Sequence, residues 1–173
     1  TAHGINASFD VVGVTRVSNT SSTETATLFD LNGSSHTPTN LHPAPSRAYD
    51  INDSGTIVGY ARPGGATKDQ PVVFLGGGLS TQLPLPAGDT GGLAQFVNNA
   101  GLIGGSTFLD TEATRKAVVW ASSGAPATLL PNPPGIQGST KVLGLSNSGL
   151  ILGNGSLDFV NFVTLLWSGG VGY

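Results

Sequence analysis

The feature that most constrains this chain is a phrase that it writes four times. The copies are AHGINASFDVVG (Ala2 to Gly13), AYDINDSGTIVG (Ala48 to Gly59), AQFVNNAGLIGG (Ala94 to Gly105) and VLGLSNSGLILG (Val142 to Gly153). Aligned, they place Asn6, Asn52, Asn98 and Ser146 in one column and Gly13, Gly59, Gly105 and Gly153 in another, with steps of 46, 46 and 48 residues. A fixed period of this length marks a supersecondary unit that cannot bury its apolar face alone and must stack on its neighbours. The 173 residues are therefore expected to form a single β-repeat domain with repeats at about 1-45, 46-90, 91-138 and 139-173.

Inside each repeat, the Asn column is followed by Asp, Ser or Asn and then Gly, between short apolar and β-branched runs such as Ile57-Val58-Gly59-Tyr60 and Leu150-Ile151-Leu152-Gly153. This is the pattern of a β-hairpin. Gly55, Gly101 and Gly149 supply the positive φ that closes the turn, and Asn6, Asn52, Asp53, Asn98 and Asn147 are the side chains expected to bond its backbone. Repeat one has Phe9 where the others have Gly, so its turn is expected to differ. A third run carries an aromatic in register, Phe29, Phe74, Trp120 and Trp167, at steps of 45, 46 and 47 residues. Its place inside apolar runs makes it a repeated aromatic core. Three repeats then close on a looser, Pro-ended segment such as Gln82-Leu83-Pro84-Leu85-Pro86, suited to an edge strand.

No segment has apolar residues at helical spacing, which predicts essentially no α-helix. The second and third runs are apolar at consecutive positions, as in sheets covered on both faces. Four strands and about 45 residues per unit are the dimensions of a propeller blade, with a β-solenoid or sandwich as the other options. The expected fold is all-β: four propeller-like blades of about four antiparallel strands each, the last blade incomplete. The stretches Ile51-Asn52-Asp53-Ser54-Gly55-Thr56-Ile57-Val58-Gly59, Ala117-Val118-Val119-Trp120 and Gly78 through Leu83-Pro84-Leu85-Pro86 together resemble the HAF-type repeats, a family of predicted extracellular repeats named for a His-Ala-Phe signature. The chain departs from that family in lacking the signature His before its aromatics and in Ser146 for Asn. The resemblance implies a secreted or cell-surface repeat protein of bacterial type, from a family with no established chemistry.

Composition narrows the function. Charged residues are 10% of the chain, against about 25% in ordinary domains. The chain relies instead on 18 Thr and 17 Ser for solubility, which suits an extracellular or cell-surface location. Seven scattered basic residues and a net charge of −3 exclude the dense cationic patch that nucleic acid or an anionic membrane needs. No apolar run is long enough to insert in a membrane. With no Cys there is no disulfide, thiolate ligand or thiol nucleophile. A chain without Met that starts at Thr1 is expected to have lost a leader.

Candidate chemistry is sparse, and no cofactor, metal or catalytic residue is expected. His3, His36 and His42 are confined to repeat one, and Asp50, Asn52, Asp53 and Gly55 resemble a calcium loop without its later Glu. The acids do not recur in a column, and no G-x-S-x-G elbow occurs, so a hydrolase on this scaffold is the least favoured reading. Tyr49, Tyr60 and Tyr173 are glycan-stacking candidates, and Asn6, Asn19, Asn32, Asn52 and Asn154 begin glycosylation sequons.

Repeat four reaches only Trp167-Ser168-Gly169-Gly170-Val171-Gly172-Tyr173, where a fourth strand begins, and carries only Lys141 and Asp158 as charges from Lys141 onward. An open edge with so few charged guards invites strand addition. The expectation is a non-catalytic extracellular structural protein that self-assembles, as a filament or ring, through Val171, Gly172 and Tyr173. Its partners are then copies of itself. A carbohydrate-binding module, with glycans as partners, is the alternative.

Overall fold

The structure, a computed structural model, describes residues 1–16, 18, 23–31, 38–43, 45–158, 161–168 and 171–172. Sixteen strands form four sheets, each an antiparallel meander in chain order. Sheet 1 holds β1 (Ala2–Ile5), β2 (Asp10–Arg16), β3 (Glu24–Asp30) and β4 (Thr39–Asn40), and sheet 2 holds β5 (Ser46–Ile51), β6 (Ile57–Ala61), β7 (Gln70–Gly76) and β8 (Leu79–Gln82). Sheet 3 holds β9 (Gly91–Val97), β10 (Ile103–Phe108), β11 (Lys116–Trp120) and β12 (Thr128–Leu129). Sheet 4 holds β13 (Thr140–Leu145), β14 (Ile151–Ser156), β15 (Phe162–Ser168) and β16 (Val171–Gly172). Helical backbone among the described residues amounts to two short 3-10 turns, Pro63–Gly65 and Glu112–Thr114.

The sheets stack as propeller-like blades in an open arc. The first strand of each later sheet, β5, β9 or β13, lies across the middle strands of the sheet before it. First strands also touch in succession, β1 with β5, β5 with β9 and β9 with β13, so they form the inner side of the arc. No comparable contact joins sheet 1 to sheet 4 among the described residues.

Three apolar cores fill the three spaces between sheets. Between sheets 1 and 2 lie Val12, Ala26, Leu41, Ile51, Ile57 and Phe74; between 2 and 3, Val58, Val73, Leu83, Val97, Ile103 and Trp120; between 3 and 4, Ala117, Leu130, Val142, Ile151, Leu165 and Trp167. Each space repeats the same plan, with the aromatic of the later sheet meeting the closing Leu of the earlier one. The consecutive apolar runs follow from this geometry. β6, β7 and β10 belong to sheets covered on both faces and are buried at consecutive positions, whereas β15, on the last sheet, alternates buried and exposed.

The Gly column has a backbone cause. In every sheet the first two strands slip by one residue, so Ala48 faces Gly59 while Asp50 faces Val58, and Tyr49 is extra. The same bulge sets aside His3, Gln95 and Leu143. It brings the preceding carbonyl so close that a Cβ at Gly13, Gly59 or Gly105 would run into the oxygen of Thr1, Arg47 or Leu93.

Repeat one corrects one expectation. Its turn does not differ: Phe9 takes the left-handed conformation with φ 61°, and its N–H bonds to Asn6 O at 3.1 Å as Gly55 N–H bonds to Asn52 O at 3.0 Å. Two N–H bonds onto Asn6 Oδ1, from Ser8 at 3.0 Å and Asp10 at 2.9 Å, hold the loop in that shape despite the steric cost. The ring itself points outward, 62% exposed.

The last blade is incomplete, as expected. β4, β8 and β12 pair up to two residues before the aromatic (Thr27, Val72, Val118) and run on to buried Leu41, Leu83 and Leu130, whose N–H groups bond to Ala26, Pro71 and Ala117. β16 pairs only with Trp167 and Ser168, leaving the rest of the outer side of β15 unpaired among the described residues. Two outcomes follow for unfolding in denaturant. Gly105→Ala should destabilise the fold by about 1–3 kcal/mol, the range for forced overpacking. Phe9→Gly should stabilise it by about 1 kcal/mol by relieving the left-handed strain.

Candidate functional site

The Asn column is more than a set of turns. Asn52 Oδ1 accepts the N–H of Thr56 at 2.8 Å, closing its own hairpin, while its Nδ2 donates to Asn98 O in the next sheet at 3.0 Å. Asn98 does the same, accepting from Leu102 N–H at 2.9 Å and donating to Ser146 O at 2.7 Å. Asn6 donates to Asn52 O at 3.4 Å. A second rail runs beside the first: Ala7 N–H to Asp53 Oδ1 at 2.8 Å, Asp53 N–H to Asn99 Oδ1 at 3.0 Å, and Asn99 N–H to Asn147 Oδ1 at 2.9 Å. One carboxamide thus satisfies both its own turn and the neighbouring blade. Asn52, Asn98 and Asn6 are buried, where an unmade bond is costly.

The residue types change at both ends of the ladder. Ser146 Oγ takes the turn bond from Leu150 N–H at 2.8 Å, but a hydroxyl has no amide to send onward. Ala7, at the other end, has no side-chain acceptor for an incoming N–H.

The aromatic column supplies a second tie. Trp120 and Trp167, both 0% exposed, donate Nε1–H to the carbonyls of Pro84 and Pro131 at 2.8 Å, each in the closing segment of the preceding blade. Phe74 is buried and has no such donor; the His42 ring lies 6.4 Å from it. Phe29 departs from the aromatic-core expectation. It is only half-buried, because no sheet precedes sheet 1 to cover that face.

The end sheets carry apolar side chains on their outward faces. Leu152 and Leu166 on sheet 4 are 42% and 37% exposed, alongside exposed Leu143 and Leu150. They occupy the columns of Val58 and Val73 on sheet 2, which are buried against sheet 3. Sheet 1 exposes Ile5 and Phe9 beside half-buried Val11 and Phe29. Of the anticipated edge residues, Val171–Gly172 form β16, and Tyr173 lies outside the described residues.

Elsewhere the titratable groups are tied into the seams. Glu24 on sheet 1 bridges Arg16, at 2.6 Å, and Arg47 of sheet 2. Burial pushes its carboxyl up, but bonds from Arg16 and Arg47 and their charges outweigh this and hold it below the ordinary value. Asp50 accepts Val97 N–H from sheet 3 at 3.0 Å and Ile51 N–H at 2.9 Å, yet burial raises its carboxyl above the usual range. The His3 ring stacks on Tyr49 at 5.8 Å, and Tyr49 meets Tyr60 at 6.1 Å. His36 and the sequon residues Asn19 and Asn32 lie outside the described residues. Asn6 and Asn52 use their amide nitrogens in the ladder and are buried, so as sequons they are closed to modification in the folded chain. Among the described residues, no three His, Asp or Glu side chains gather as a metal site would require.

Comparison with protein-family models, with curated proteins and with solved structures found no match. The site is therefore read from its own geometry. Sequence reasoning located the Asn turns but not Asn99 or the carbonyls of Pro84 and Pro131 as partners between blades. The available signal was the residue after the Asn column, which is a side-chain acceptor in Asp53, Asn99 and Asn147 and Ala only at position 7.

Substitutions at Asn98 separate its two tasks. Asn98→Ser keeps a turn acceptor, as Ser146 does, and loses only the rung to the next sheet, at a cost of about 1 kcal/mol. Asn98→Ala also strands the Leu102 N–H and should cost about 1–3 kcal/mol more in chemical unfolding.

Proposed function

We propose that this chain is a non-catalytic structural repeat protein of the extracellular or cell-surface type, which assembles with copies of itself through its end sheets. The observation that carries the reading is the identity of the exposed columns. Leu152 and Leu166 stand where Val58 and Val73 of sheet 2 are buried by the following blade. Phe29 stands where Phe74, Trp120 and Trp167 are buried by the preceding one. Sheet 4 and sheet 1 are thus two halves of the internal seam, and a second copy offers the matching half. Apolar patches of this kind on a chain with little charge favour association. The low charge, the Ser/Thr-rich composition and the resemblance to HAF-type repeats support the extracellular, structural part of the reading. The unpaired outer side of β15 belongs to the same sheet and gives strand addition at Val171–Gly172 as a second contact of the same assembly. Carbohydrate binding is the alternative, and the row of His3, Tyr49 and Tyr60 rings is the observation on its side.

The test is the size distribution of the purified chain by analytical ultracentrifugation over a wide concentration range. The unaltered chain should form oligomers, and Leu152→Lys with Leu166→Lys should weaken association at least about 100-fold by placing two ammonium groups in the seam. Circular dichroism should be unchanged. A chain that is monomeric throughout, or a double variant that assembles like the original, overturns the reading. Truncation after Gly170 tells the two contacts apart: it abolishes assembly only if the β16 edge carries it.

A further inference from the structure

At the end of the blades away from the Asn turns, sheets 3 and 4 part to leave a cleft of about 370 Å³. That is within the size range of small-molecule sites, about 300–1,000 Å³. Its walls include Arg115, Ser139, Lys141, Asn154, Ser156 and Phe162, with no carboxylate among the described lining.

The repeat supplies an internal reference for this place. Five residues before the aromatic, sheet 1 has Glu24 and sheet 3 has Arg115; five residues before the Asn column, sheet 2 has Arg47 and sheet 4 has Lys141. Between sheets 1 and 2 these positions hold a carboxylate against a guanidinium, Glu24 with Arg47. Between sheets 3 and 4 the acid has been replaced by a second cation. The Lys141 ammonium makes no ion pair and the Asn154 carboxamide no side-chain hydrogen bond among the described residues, and both open onto the cleft. Phe162 lines the cleft and is 61% exposed.

We infer that this cleft binds a carboxylate-bearing sugar unit, a uronic acid residue of an acidic glycan, whose carboxylate pairs with Lys141 as Glu24 pairs with Arg47 in the first seam. Lys141 donates to the carboxylate. Asn154 and Ser139 offer amide and hydroxyl groups to the ring hydroxyls, and the Phe162 face covers the apolar C–H face of the pyranose. A charge-assisted bond in a partly enclosed site is the strongest polar contact available here, so charge selects the ligand and the aromatic selects its ring shape.

The experiment is calorimetric titration of the full chain, made in a host without N-glycosylation so that Asn154 is bare, with trigalacturonate, maltotriose and sodium acetate. The expected result is binding of trigalacturonate, with no heat from maltotriose or acetate at the same concentrations. Lys141→Gln should weaken it about 10- to 100-fold, the worth of one bond to a charged group, while Lys141→Arg retains it. Phe162→Ala should weaken it as well, and circular dichroism should show that every variant remains folded. Equal binding of maltotriose overturns the role of charge, and equal binding of acetate overturns the role of the sugar ring. No binding of trigalacturonate at millimolar concentration, or binding that Lys141→Gln leaves untouched, overturns the site itself.

Discussion

The structure depends on the double use of one short side chain. A buried carboxamide is a liability until both its oxygen and its nitrogen are satisfied. In Asn52 and Asn98 the oxygen is used within the hairpin and the nitrogen between blades. The turn that shapes a blade is therefore also what places the next one, and local and long-range order are specified by the same atoms. Trp120 and Trp167 repeat the principle farther out, with a ring in the core and an N–H on the carbonyl of the preceding blade. Apolar burial supplies the bulk of the drive to stack, but it is not directional; the amide rungs and indole bonds set the register in which the stacking occurs.

The same plan explains how much was legible in the sequence. The period, the strand order and the hairpins could be read because each rests on residues that recur in columns. The doubly covered middle sheets could be read too, since a strand that is apolar at consecutive positions needs a neighbour on each face. What was hidden lies in side-chain direction. Nothing in the letters says that Asn52 looks both into its turn and across to Asn98, and the Gly column gives no hint that a bulge around Tyr49 is what forbids a Cβ. Phe9 misled for a physical reason: a steric rule about one residue was outweighed by two hydrogen bonds from its neighbours onto Asn6. Phe29 misled because a column predicts environment only where a blade exists on the proper side.

Candidate sites were the least legible part. Lys141 and Arg115 are 26 residues apart and belong to different blades, and their shared cleft follows from how sheets 3 and 4 splay, not from any motif. The contrast that gives them meaning is between seams: Glu24 and Arg47 are joined across the first, while the third holds cations at both positions. Repeats make such differences readable, because each unit serves as a control for the others.

The direction of the rungs has a consequence for the shape of anything larger. The carboxamide rungs of the Asn column, from Asn6, Asn52 and Asn98, all point from an earlier blade toward a later one. The arc consequently has an arrow, with a leading surface and a trailing surface that are chemically unlike. Two such arcs meeting leading surface to trailing surface cannot be related by a twofold axis at that seam, so the joint would be heterologous, and only the angle between blades would decide whether successive arcs close on themselves or spiral onward.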